Sequence, residues 1–192
     1  MLKPLIRLWL WAAGWKVEGD PPPGVSKWVL IAYPHTSNWD FLLLLGYCRV
    51  KDIPLKWMAK DNIFKGPFGS LFRFLGGIPI DRSKATNMVS KMVDAFNTHE
   101  HIVISVPPEG TRKKVPHWKT GFYWLATGAS VPLVLSYIDG PRRRVGLGPI
   151  IYPTGDIHAD MAKIAEFYDG ILGIHPEKTS PPRLKAEEQA QG

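Results

Sequence analysis

Short apolar runs alternate along the chain with longer stretches in which apolar positions return every three or four residues. The runs KWVLIAY, LKWMA, GIPI, HIVISV and VPLVLSYI read as strands, most of them buried on both faces. NWDFLLLLGYCRV is apolar almost all round, so it reads as a helix that is buried or faces lipid. PFGSLFRFLG predicts a short helix ended by Gly76 and Gly77. TNMVSKMVDAFNTH spaces Met88, Met92, Val93 and Phe96 along one helical face. KTGFYWLATGA and DIHADMAKIAEFYDGIL supply two further helices, and RRVGLGPIIY one or two more strands. Strands alternating with helices predict an α/β domain over residues 25–175: a mostly parallel sheet with helices on both faces. From Pro176 onward there is no aromatic residue, and Leu184 is the one large aliphatic. Residues 176–192 are therefore expected to form a disordered tail.

The first twenty residues break this pattern. In MLKPLIRLWLWAAGWKVEG, Lys3 and Arg7 share one helical face, while Leu5, Leu8, Trp9, Ala12 and Trp15 cover much of the rest. A helix from Leu2 to Trp15 would be roughly 20 Å long, short of the roughly 30 Å hydrocarbon core of a bilayer. The basic residues in this short apolar stretch, and the lack of a clear small-x-small cleavage site after it, make it a poor signal peptide. It fits an amphipathic helix lying in a membrane interface, with packing against its own domain as the alternative. Charge changes the picture in the same direction. The formal net charge is +7 and eight tryptophans are present, a combination that favours an anionic membrane surface over nucleic acid. PRRRVG reads as a solvated turn, and no nucleic-acid-binding module is recognisable.

Three polar clusters fall at predicted strand ends, where ligands gather in such sheets. The first is HTSNWD after KWVLIAY. Ser37 as helix cap places Asp40 at the third helical position, a capping box with Asp in place of Glu. The same carboxylate can face back to His35 and fix its tautomer, leaving the other ring nitrogen to take a proton. The two readings are compatible. The second cluster is Asp81-Arg82 after GIPI. The third is PPEGTRKK, where Gly110 permits a tight turn presenting Glu109 and Arg112, with Lys113, Lys114 and Lys119 nearby. Its donors suit a phosphate, with Arg112 able to engage it bidentately; a solvated basic loop with Glu109 and Arg112 as an ion pair is the plainer alternative.

No nucleophile accompanies His35. There is no Gly-x-Ser-x-Gly elbow, and Cys48 lies in an apolar helix. A base at His35 would then act on a substrate hydroxyl, with direct transfer and no covalent enzyme intermediate. His99 and His101 lack the partners of a metal site, so no metal is expected. Phosphate-loop and dinucleotide fingerprints are absent as well.

Taken in order, HTSNWD, GGIPIDR, PPEGTR and the stretch running to Val131-Pro132 resemble the lysophosphatidic acid acyltransferase (glycerolipid acyltransferase) family over about residues 28–138. The resemblance implies transfer of a fatty acyl group from acyl-CoA or acyl carrier protein to a lysophospholipid hydroxyl, most simply 1-acylglycerol-3-phosphate. It makes His35 the base and Asp40 its orienter. Arg82, Glu109, Gly110, Thr111 and Arg112 become the phosphate-binding set, with Lys60 and Lys119 as further contacts to acceptor or donor. No cofactor is implied beyond the acyl donor. Peripheral or monotopic association with the cytoplasmic face of the inner membrane is the expected location. The competing readings are a different lysolipid acceptor and a basic membrane-binding module without chemistry. The module would need neither His35 nor Asp40.

Overall fold

Alternation within one strand decides where the two cores form. Val29, Ile31 and Tyr33 point to one side of the sheet and Trp28 and Leu30 to the other, as the two-residue repeat of a strand requires. The computed structural model describes residues 2–80 and 86–185. Its strands are β1 (Lys16–Glu18), β2 (Lys27–Tyr33), β3 (Leu55–Lys60), β4 (Gly77–Ile80), β5 (Ile102–Val106), β6 (Leu133–Asp139) and β7 (Arg144–Ile151). They form one sheet in the order β1-β7-β6-β2-β5-β3-β4. Every neighbouring pair is parallel except β6 and β7, which run antiparallel. The helices are α1 (Lys3–Ala12), α2 (Asn38–Val50), α3 (Gly69–Phe74), α4 (Thr86–Thr98), α5 (Gly121–Gly128) and α6 (Ile157–Tyr168). The expected α/β architecture is therefore present, with β1 as an addition that three residues could not announce.

Helices cover both faces. Leu43, Leu44 and Tyr47 of α2 and Leu10 of α1 bury against Trp28, Leu30, Val103 and Val134. On the other face Met92 and Phe96 of α4, Phe122 and Leu125 of α5, and Met161 and Ile164 of α6 bury against Val29, Ile31, Ile104 and Leu135. Asp81, Arg82 and the side chain of Met88 lie outside the described residues.

The first helix is shorter than Leu2–Trp15. Gly14, at φ +75°, takes the left-handed conformation and donates to Trp11 O, which stops α1 at Ala12. Ten residues make a marginal helix alone. Ile6 and Leu10, four apart, turn inward onto α2, and Leu10 is fully buried. Burial of one such side chain contributes about 2 kcal/mol. Leu2, Leu5, Leu8, Trp9 and Trp11 stay exposed, so the helix is both packed on its domain and apolar on its outer side. Trp39 and Leu42 of α2, and Phe68, Leu71 and Phe74 around α3, are exposed as well. Between α1, α2 and the end of α3 runs an apolar groove of about 520 Å³, lined by Leu2, Ile6, Gly46, Ile53 and Phe74. No described helix is long and apolar enough to cross a membrane.

The basic turn Arg142–Arg144 is tied into the fold. Arg142 pairs with Asp139 at 2.7 Å, Arg143 Nη1 donates to Ala13 O at 3.0 Å, and Arg144 faces Glu18 at 3.7 Å. The last two tie the end of α1 and β1 to this turn.

The segment after Pro176 departs from the expected tail as far as it is described. Residues 176–185 lie against the domain, with Leu184 and Ser180 both buried. Too few apolar residues are present to drive this by burial alone. Backbone and side-chain hydrogen bonds to two loops hold it instead.

Candidate active site

Because β2, β3, β4 and β5 are parallel, their C-terminal ends share one edge of the sheet. That edge collects the polar clusters that the sequence placed after separate strands. His35 follows β2, Glu109 to Arg112 follow β5, and Lys60 ends β3 opposite Ile80, two residues before Arg82. Arg82 itself cannot be placed, being outside the described residues.

The loop between β2 and α2 is built around one carboxylate. Ser37 has extended backbone (φ −145°, ψ 160°) and caps α2, with both halves of the capping box formed. Asp40 Oδ2 accepts from the amides of Thr36 at 2.6 Å and Ser37 at 2.7 Å. The same oxygen lies 3.5 Å from His35 Nδ1, longer than a well-formed hydrogen bond but close enough to orient the ring. The carboxylate therefore serves as cap and as partner of the histidine at once. Asp40 is almost completely covered, whereas a quarter of the His35 side chain remains open to solvent. Since Nδ1 faces Asp40, Nε2 is the nitrogen left to meet a substrate.

Glu109 takes a different place from the phosphate-binding one expected. It is 1% exposed, and its Oε2 accepts from the backbone amide of His35 at 2.7 Å. A buried carboxylate braced against the histidine loop is not available to a phosphate, which it would also repel. Burial pushes its carboxyl up from 4.5 to about 7, against the opposing pull of the His35 amide and of Ser180. Oε1 has no well-formed hydrogen bond, although Ser180's hydroxyl and amide lie close enough to favour the ionised form. Spacing alone gave no hint that this residue reaches across to β2.

The tight turn itself is formed. Gly110 has φ +66°, and a Cβ there would meet only the flexible end of the Lys119 side chain, so it is the left-handed backbone that calls for glycine. Lys119 lies across this turn and donates its amide to Pro108 O at 2.9 Å. Thr111 Oγ1 accepts from Lys113 N at 3.3 Å. Arg112 is exposed and makes no ion pair with a described residue, leaving its guanidinium open to an anion. Cys48 is buried, and burial pushes its thiol up, which keeps it un-ionised and inert. No group of three potential metal ligands occurs among the described residues.

A partly open histidine backed by a buried carboxylate, with a free arginine on the same sheet edge, can deprotonate a hydroxyl on an anionic substrate. The chain belongs to the acyltransferase family, whose model, Acyltransferase, matches residues 16–138. That match takes in β1 through β6 and every polar cluster described above. Among solved structures the chain is similar to PlsC, the 1-acyl-sn-glycerophosphate (LPA) acyltransferase from Thermotoga maritima, with a TM-score of 0.58 and 17% identity. The similarity covers 86% of this chain and 74% of that one, and at this identity it establishes a shared fold. No curated protein matches the chain.

Proposed function

We propose that the protein transfers a fatty acyl group from an acyl thioester, carried by coenzyme A or acyl carrier protein, to the free hydroxyl of a lysophospholipid. The favoured acceptor is 1-acylglycerol-3-phosphate, giving phosphatidic acid. The observation that carries this reading is His35, with Nδ1 toward a buried carboxylate and Nε2 open, and with no serine or cysteine side chain among the described residues hydrogen-bonded to its ring. Nε2 takes the acceptor's hydroxyl proton as the oxygen attacks the thioester carbonyl. The tetrahedral intermediate then collapses, expelling the thiolate, which recovers the proton from His35. Asp40 stabilises the transient imidazolium.

Arg112 is assigned to the acceptor's phosphate, together with Arg82 on the sequence pattern. A phosphate contact exists in ground and transition states alike, so losing it raises KM more than it lowers kcat. Arg112→Ala is expected to raise the acceptor's KM while the donor's stays nearly constant. Arg112→Lys keeps the charge but loses the two-pronged geometry and should also be harmful. Steady-state kinetics with both substrates varied decide the matter. A rise confined to the donor's KM would move this loop's role to the acyl carrier.

The exposed apolar residues of α1, with Trp39 and Leu42 beside the histidine loop, are proposed to lie on an anionic leaflet as a peripheral contact. The groove between α1 and α2 would then shelter the far end of a fatty chain. Changing Trp9 and Trp11 to Ser, both exposed, is expected to release the protein from anionic vesicles with little change in thermal stability. Sedimentation with vesicles checks this, and undiminished binding would remove α1 from the contact.

A further inference from the structure

We infer that the C-terminal strap, Gly173 to Leu184, is part of the active-site apparatus, clamping the His35 loop to the Glu109 loop, with Ser180 as the positioning residue at its centre. The inference rests on the reading of His35 as the base. The strap lies outside residues 16–138, and its sequence carries no signature of chemistry.

Its contacts divide between the two loops that carry the site. Toward β2 and the histidine, Tyr33's hydroxyl donates to Ser180 O at 2.8 Å, and the amide of His175 donates to Thr36 Oγ1 at 3.2 Å. Toward the loop after β5, the amide of Val115 donates to Ser180 Oγ at 3.1 Å and the amide of Trp118 to Arg183 O at 2.8 Å. Arg183 Nε also donates to Pro116 O at 2.7 Å. Ser180 is fully buried and lies beside Glu109, which in turn holds the amide of His35.

Ordinary core packing does not account for this arrangement. On its α6 side the strap borders an open cleft of about 880 Å³, lined by Tyr168, Asp169 and Arg183 among others. Leu184 is the strap's one fully buried large aliphatic residue, with Ile174 packed partly buried on the core beneath α2. Much of the strap's order therefore comes from polar contacts, and those contacts end on the last residue of β2 and on the two loops. Loosening it should let the His35 loop drift relative to Glu109, and small misplacements of a base cost rate more than affinity.

Two variants test this. Ser180→Ala removes the acceptor for Val115 and the dipole beside Glu109. Tyr33→Phe removes one hydroxyl and keeps the ring that packs on Trp118 and Tyr168. In each variant, hydrogen exchange at the His35 amide should quicken about five- to tenfold, the effect of losing one hydrogen bond. Amides within α6 should be unchanged. With acyl donor and lysophospholipid, kcat should fall about tenfold while both KM values stay within about twofold. Unaltered exchange at His35 in both variants overturns the clamp, whatever the kinetics. If the wild type transfers no acyl group to any lysolipid, the acyltransfer reading fails, and the exchange measurement still decides whether the strap holds the loop.

Discussion

Alanine in place of His35 is expected to lower acyl transfer by about 100- to 10,000-fold, the usual worth of a positioned general base, with the fold intact. The fold should tolerate the change because the loop is held through backbone groups. Glu109 takes the amide of residue 35, and Asp40 takes those of Thr36 and Ser37. Only the contact to Nδ1 disappears with the ring. Asp40→Asn belongs to the same experiment. With its oxygen in the Oδ2 place, asparagine still accepts from the two amides and faces Nδ1, but it lacks the negative charge that stabilises the imidazolium, and its NH₂ takes the buried Oδ1 place, which has no partner among the described residues. Transfer should therefore drop with a small change in melting temperature, a lost cap being worth about 1 kcal/mol. The opposite pattern, a lower melting temperature with full activity, would make Asp40 a cap alone.

Glu109→Gln is expected to remove a pH dependence of stability. Burial holds the folded carboxyl near 7 against an ordinary value of 4.5, so between these values the folded chain binds a proton that the unfolded chain has lost. This group's stabilising protonation is complete below about pH 4.5 and is lost as pH rises through about 7. At about 1.4 kcal/mol per pH unit, the swing is of the order of 3 kcal/mol. The charged and titratable neighbours are His35, Tyr33 and Tyr168. Both phenols are held neutral by burial, so they do not titrate in this window. Glutamine keeps the acceptor for the His35 amide and does not ionise. Urea midpoints at about pH 5 and about pH 8 should therefore lie closer together in the variant than in the wild type. Equal gaps would mean that Glu109 ionises as freely as an exposed carboxylate.

Much of the fold and part of the site can be read from the sequence. The helix from Asn38 to Val50 carries its start signal in Ser37 and Asp40, and its unbroken apolar run can only be buried or covered. The strands β2, β5 and β6 are continuous apolar stretches, and that continuity is itself the mark of a sheet covered on both faces. What periodicity cannot report is partnership between distant loops. β1 is three residues recognisable only through its pairing with β7. Glu109 looked like one more group facing an anion, because nothing in PPEGTR says that its carboxylate turns under His35. The strap was read as a tail since one leucine is a weak apolar signal. Its order depends on hydroxyls and backbone groups, which leave no repeat in the sequence.

His35 is proposed to drive transfer of a fatty acyl group to a lysophospholipid. The most direct test presents purified protein with labelled acyl-CoA, and separately with labelled acyl carrier protein, across a panel of lysolipids, and identifies the lipid product. A labelled diacyl product is expected, most abundant with 1-acylglycerol-3-phosphate and lost in His35→Ala. Product formed equally by His35→Ala, or no acylated lipid from any acceptor with either donor, would contradict the proposal.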